Sequence, residues 1–100
     1  MLSYSVDDDI LTVFIKGELD HHTSSGLREE TDKLIDRFSP IKTILDFKNV
    51  TFCDSSGIAF VLGRYKRMTA GGGILELTRL PRQVATIFDL ANLGSLIRIT

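Results

Sequence analysis

The sequence predicts an α/β fold: a mixed, mostly parallel sheet with one antiparallel strand at its N-terminal end and about three helices. Three observations carry this. Runs rich in β-branched and apolar residues recur at Ile10–Ile15, Ile41–Phe47, Ile74–Thr78 and Leu96–Ile99. Stretches with the i, i+3, i+4 spacing of helices lie between them. A three-residue polar turn, Asp7-Asp8-Asp9, separates the first such strand from a preceding segment, Met1–Val6. So short a connection fits an antiparallel hairpin, whereas strand–helix–strand alternation calls for parallel strands and right-handed crossovers.

Each element has a local cause. Met1–Val6 is short and partly alternating, as an edge strand is. Ile10–Ile15 is apolar on both faces and reads as a central strand. Gly17 to Thr23 ends that strand and leads into a helix, for which Thr23, Ser24 and Ser25 are candidate caps. Leu27, Leu34, Ile35 and Phe38 share one face of it, with Thr31 between them, and Pro40 stops it. Ile41–Phe47 is the second buried strand, and Val50-Thr51-Phe52 reads as an apolar connector. The middle helix follows, with Ile58, Val61, Leu62, Tyr65 and Met68 on its inward face. Gly71-Gly72-Gly73 breaks it before the Ile74–Thr78 strand. Pro81 suits the first position of a third helix bearing Val84, Ile87 and Phe88, Gly94 suits its stop, and Leu96–Ile99 closes the chain as a strand.

One hundred residues, 43% of them hydrophobic, predict one compact domain spanning residues 1–100, with a core that needs no disulfide or metal. A net charge of −1 argues against a nucleic-acid binder, which is usually basic. The lone Cys53 cannot form an internal disulfide and reads as a buried, reduced thiol. No apolar run approaches a membrane span, and the N-terminus lacks the layout of a signal peptide. A cytoplasmic protein with no membrane association is the expectation, and two histidines with one cysteine predict no metal site.

The candidate site is Asp54-Ser55-Ser56-Gly57, at the start of the middle helix. Asp54, Ser55 and Ser56 are all good N-cap types, and a helix N-terminus favours an anion, which makes a serine there a candidate phosphate acceptor. In a parallel sheet every strand-to-helix turn emerges on one edge, so Asp20–Thr23, Asp54–Ser56 and Arg79–Pro81 are expected to gather there. Asp20 and Asp54 would then flank Ser55. His21 and His22 share that edge, which raises a Ser-His-Asp hydrolase. Against it, Phe-Cys-Asp precedes Ser55 where a nucleophile elbow would have Gly-x-Ser-x-Gly. Arg64, Lys66 and Arg67 read as a basic cluster on the exposed part of the middle helix, either solvated or a docking surface.

Gly17-Glu18-Leu19-Asp20-His21-His22-Thr23, Phe52-x-Asp54-Ser55-Ser56-Gly57 and Leu62-Gly63-Arg64-Tyr65-Lys66 together resemble the STAS-domain anti-sigma factor antagonists, most closely the stage II sporulation protein AA subgroup. The resemblance covers nearly the whole chain. It implies the STAS fold and a regulator without enzymatic activity or cofactor. By the same resemblance, Ser55 is phosphorylated by a serine kinase that doubles as the anti-sigma factor, and a PP2C-type phosphatase reverses the mark. The unphosphorylated form binds the kinase and releases the sigma factor. Asp20, Asp54, Ser56, Gly57 and Thr23 fall in the motifs bordering that serine. A general-stress antagonist or a ligand-sensing STAS domain is the alternative within the fold. Three departures stand out: family members usually continue into a C-terminal helix beyond the position of Thr100, Leu80 replaces the serine before Pro81, and Cys53 replaces a common methionine. From the first, either a less covered sheet edge or face, or a dispensable final helix, is expected.

Overall fold

The computed structural model describes residues 1–100. Its elements are β1 (Leu2–Asp7), β2 (Ile10–Leu19), α1 (Ser24–Phe38), β3 (Lys42–Cys53), α2 (Ser55–Ala70), β4 (Ile74–Thr78), α3 (Arg82–Leu90), a 3₁₀ turn (Leu93–Ser95) and β5 (Arg98–Ile99). The five strands lie in the order β1-β2-β3-β4-β5. β1 runs antiparallel to β2, and every other neighbouring pair is parallel. The predicted fold class is the observed one.

The strands advance in one direction across the sheet from β2 to β5, so right-handed crossovers bring all three helices to the same face. Alternation along the strands follows. Leu11, Val13 and Ile15 of β2, Leu45 and Phe47 of β3, and Leu75 and Leu77 of β4 are buried under the helices. They meet Leu27, Leu34 and Ile35 from α1, Phe60, Val61 and Met68 from α2, and Val84 and Phe88 from α3. Phe47 and Phe88 pack edge to face, with ring centroids 5.4 Å apart. The opposite sheet face is open. There Thr12, Phe14 and Ile44 are half-buried, Ile10 and Ile74 are exposed, and Lys42 pairs with Glu76 at 3.3 Å. β2 is therefore not enclosed on both faces as its apolar run suggested; its second face carries apolar side chains without a covering layer.

Boundaries differ from the sequence reading in ways that matter to the site. β2 continues to Leu19 through Gly17, whose φ of +93° a side chain would strain, and its pairing with β3 shifts register on either side. β3 does not stop at Phe47. Val50-Thr51-Phe52 belongs to the strand, which pairs with β2 as far as Leu19↔Cys53. At the other end, β5 is only Arg98–Ile99, Pro81 caps α3 from outside it, and α3 ends at Leu90, before Gly94.

α2 also presents a different face. Its buried residues are Gly57, Phe60, Val61, Arg64 and Met68, while Ile58, Leu62 and Tyr65 are only partly covered. The helix is apolar around most of its girth, so spacing alone did not fix its rotation. Arg64, read from sequence as part of an exposed cluster, is 5% exposed. Its Nε stands 2.8 Å from Asp32 Oδ1 on α1, an ion pair rather than an aligned hydrogen bond. Burial lowers its pKa, and the Asp32 charge opposes that shift. Arg67 pairs with Asp36, which raises its pKa, so two arginines of α2 clasp α1.

Candidate functional site

Two strand-to-helix turns meet at one end of the sheet. Leu19 and Cys53 are register partners, so the residues that follow them, Asp20 and Asp54, leave adjacent strands side by side. Asp54 N–H donates to Leu19 O at 3.3 Å and ties the turns together.

The first turn is knotted on itself. Asp20 Oδ1 accepts from His22 N–H (2.9 Å), Thr23 N–H (3.0 Å) and the Thr23 hydroxyl (3.2 Å). The single Thr23 hydroxyl hydrogen is shared with Glu18 O, the shorter contact at 2.8 Å, and the hydroxyl oxygen accepts from Asp20 N–H at 3.0 Å. Donors directed at the carboxylate, the Thr23 N–H foremost, hold the Asp20 pKa below the usual carboxylate range. Thr23 occupies the cap position of α1 with near-helical φ and ψ and makes no side-chain cap bond. Its hydroxyl closes the turn instead.

The second turn is open. Asp54 is the N-cap of α2, extended at φ −113°, and its Oδ1 accepts from Ser56 N–H at 2.8 Å. Asp54 O accepts from Gly57 N–H at 2.9 Å. These bonds satisfy the first free donors of the helix and fix its start. Ser55 is exposed and Ser56 half-buried; Ser56 lines a cavity of about 120 Å³ with Ser24, Arg28, Ala59 and Phe60. Ser55 is thus the hydroxyl turned to solvent at the helix mouth.

Gly57 shows why the motif needs a glycine. A Cβ there would lie 2.2 Å from Cys53 Sγ and 3.3 Å from Leu19 Cδ2. Backbone of α2 rests directly on the last residues of β2 and β3. Cys53 is fully buried; burial, then the neighbouring Asp54 charge, push its thiol up to about 11. It therefore stays a neutral packing group rather than a nucleophile at neutral pH.

Not all of the predicted gathering occurs. β4 ends opposite Asp46, and Arg79 turns back to it, with Nε and Nη2 2.8 and 2.7 Å from Asp46 Oδ2. The residue that reaches the site from the third turn is Gln83, which sequence reasoning passed over. Its Oε1 accepts from Cys53 N–H at 3.0 Å and its Nε2 donates to Cys53 O at 2.7 Å. Nothing local marks a glutamine whose partner lies thirty residues away. His21 and His22 are exposed, with ring centroids 5.9 Å apart, and neither imidazole hydrogen-bonds to Ser55. No three of the His, Cys, Asp and Glu side chains converge as metal ligands would. No helix is long and apolar enough to cross a membrane.

A mixed sheet covered by helices on one face, with two acidic turns framing a serine at the mouth of the middle helix, defines a small α/β module built to present a loop. A match to the STAS domain spans residues 2–100, and the chain belongs to the STAS family. It is 37% identical over 90 residues to the anti-sigma F factor antagonist of Paenibacillus polymyxa, covering 90% of this chain and 77% of that protein. Among solved structures it is similar to the anti-sigma factor antagonist SpoIIAA in its unphosphorylated form, with a TM-score of 0.84 and 27% identity, covering all of this chain and 88% of that one. The phosphorylated form of the Bacillus cell fate determinant SpoIIAA superposes with a TM-score of 0.76 at 26% identity, over all of this chain and 91% of that one.

Proposed function

We propose that this chain is an anti-sigma factor antagonist switched by phosphorylation of Ser55. One observation carries the reading: an exposed serine at the mouth of α2 follows an aspartate cap and lies beside a second acidic turn. Unphosphorylated, the Ser55 edge docks on an anti-sigma factor that is also a serine kinase, and the sigma factor is released. A PP2C-type phosphatase resets the switch.

The energetics suit a switch. A phosphoryl group adds about −1.5 to −2 charges, which a helix N-terminus accepts with a gain of about 0.3–1 kcal/mol. Each like-charge pair at about 4 Å costs roughly 1 kcal/mol in water and about 4 at an effective dielectric of 20. With Asp54 and Asp20 nearby, a docked interface would bear the higher cost. A few kcal/mol is about two to three decades in affinity. The fold survives the modification and the complex does not.

Incubation with an anti-sigma factor kinase and ATP tests this. Label is expected on Ser55, and Ser55→Ala should lose the label while still binding the kinase. Label persisting in that variant would move the reaction to another hydroxyl and overturn the assignment.

A further inference from the structure

β3 runs past the end of β4. The last β3–β4 partners are Asp46 and Thr78, yet β3 continues to Cys53 with only β2 beside it. Since Asp54 N–H turns toward β2, the N–H and C=O of Cys53 point the other way, where no strand remains to receive them. Gln83 receives both. A carboxamide presents an acceptor and a donor in one plane, the pair that a neighbouring strand would offer. The first turn of α3 thereby supplies a side-chain rung to the ladder, two residues before Ser55.

We propose that Gln83 is a positioning residue for Ser55, holding the end of β3 so that the Asp54-Ser55 turn is presented to the kinase in one conformation. The inference rests on the reading of Ser55 as the phosphorylated hydroxyl. Beyond the β2–β3 ladder, the strand end is tied on both sides: by Asp54 N–H to Leu19 O at 3.3 Å, and by the Gln83 side-chain pair at 2.7 and 3.0 Å. The shorter contacts are the firmer hold. Removing them leaves the N–H and C=O of buried Cys53 without partners and lets the turn sample positions the kinase must select among, which weakens productive binding. Once the complex has formed, the kinase itself supplies the lost order, so the chemical step is spared.

Gln83→Leu keeps the side-chain bulk and removes both bonds. Steady-state phosphorylation by an anti-sigma factor kinase with ATP, wild type alongside, should show KM raised about tenfold with kcat nearly unchanged. Amide exchange at Cys53 should lose its protection while the amides of Val13 and Leu45 keep theirs. Gln83→Glu retains the acceptor for Cys53 N–H but sets a second carboxylate oxygen against Cys53 O; a rise at least as large as that of Gln83→Leu is expected, and this variant decides the matter should Gln83→Leu fail to fold. A merely structural role would lower the thermal midpoint and leave KM unchanged for the folded protein, which overturns the inference. Wild-type protein that takes no label on Ser55 would instead sink the functional reading, and this one with it.

Discussion

The two turns at the site end of the sheet begin alike and finish differently. Each opens with an aspartate after a buried strand residue, and each starts a helix. In the first, Asp20 and Thr23 consume each other's hydrogen-bonding capacity within four residues. In the second, the Asp54 side chain takes one backbone donor and leaves Ser55 at the surface. The same chemistry thus yields a closed structural corner and an open, modifiable one. What separates them is where the second hydroxyl falls: Thr23 folds back under its aspartate, while Ser55 sits immediately after the cap, pointing outward.

Substitutions should break the two corners in different observables. The largest effect is expected from Ser55→Asp, which should weaken kinase binding by roughly 100-fold with an unfolding midpoint near wild type, measured by titration calorimetry and thermal melts. Unchanged affinity would remove the charge mechanism. Gly57→Ala comes next: its Cβ meets Cys53 and Leu19, so a loss of about 1–3 kcal/mol in urea unfolding is expected. Cys53→Ala should relieve part of that cost, so the double variant should lose less than the two single losses summed.

Smallest is the effect of the closed corner. Thr23→Val should cost about 1 kcal/mol while leaving kinase affinity intact. Its pH signature has a defined sign. The Asp20 pKa is depressed on folding, so its contribution is complete above the ordinary value of 3.8 and fades as pH falls through the lower folded value. The stability gap between wild type and Asp20→Asn should therefore narrow in acid. A gap that widened would contradict the hydrogen bonds drawn to Asp20.

Legibility in the sequence followed range. The antiparallel start, the parallel alternation and the Asp54 cap rest on neighbours within a few residues, and all were readable. Local apolar content places the end of β3 at Phe47, yet the strand continues through the exposed Lys48 and Asn49 to Val50 and Cys53, because β2 runs beside it that far. The sequence around Arg64 suggests the surface, since the partner that lets it be buried, Asp32, lies on another helix. Gln83 carried no signal for the same reason. The buried residues of α2, Gly57, Phe60, Val61, Arg64 and Met68, keep helical spacing but form a different stripe from the apolar one in the sequence, because the helix is apolar around most of its girth. For β3, Arg64 and Gln83, long-range pairing rather than local propensity decided the outcome.

The clasp between α2 and α1 bears on the height of Ser55 above the sheet. Apolar side chains tolerate a helix sliding along its neighbour; the buried Arg64 guanidinium facing the partly covered Asp32 carboxylate tolerates it less, because a shift would leave the arginine charge unpaired. Arg64 lies nine residues along the helix from Ser55, about 14 Å at 1.5 Å per residue. A displacement of α2 along α1 at that pair would carry Ser55 with it, since the helix is continuous from one to the other.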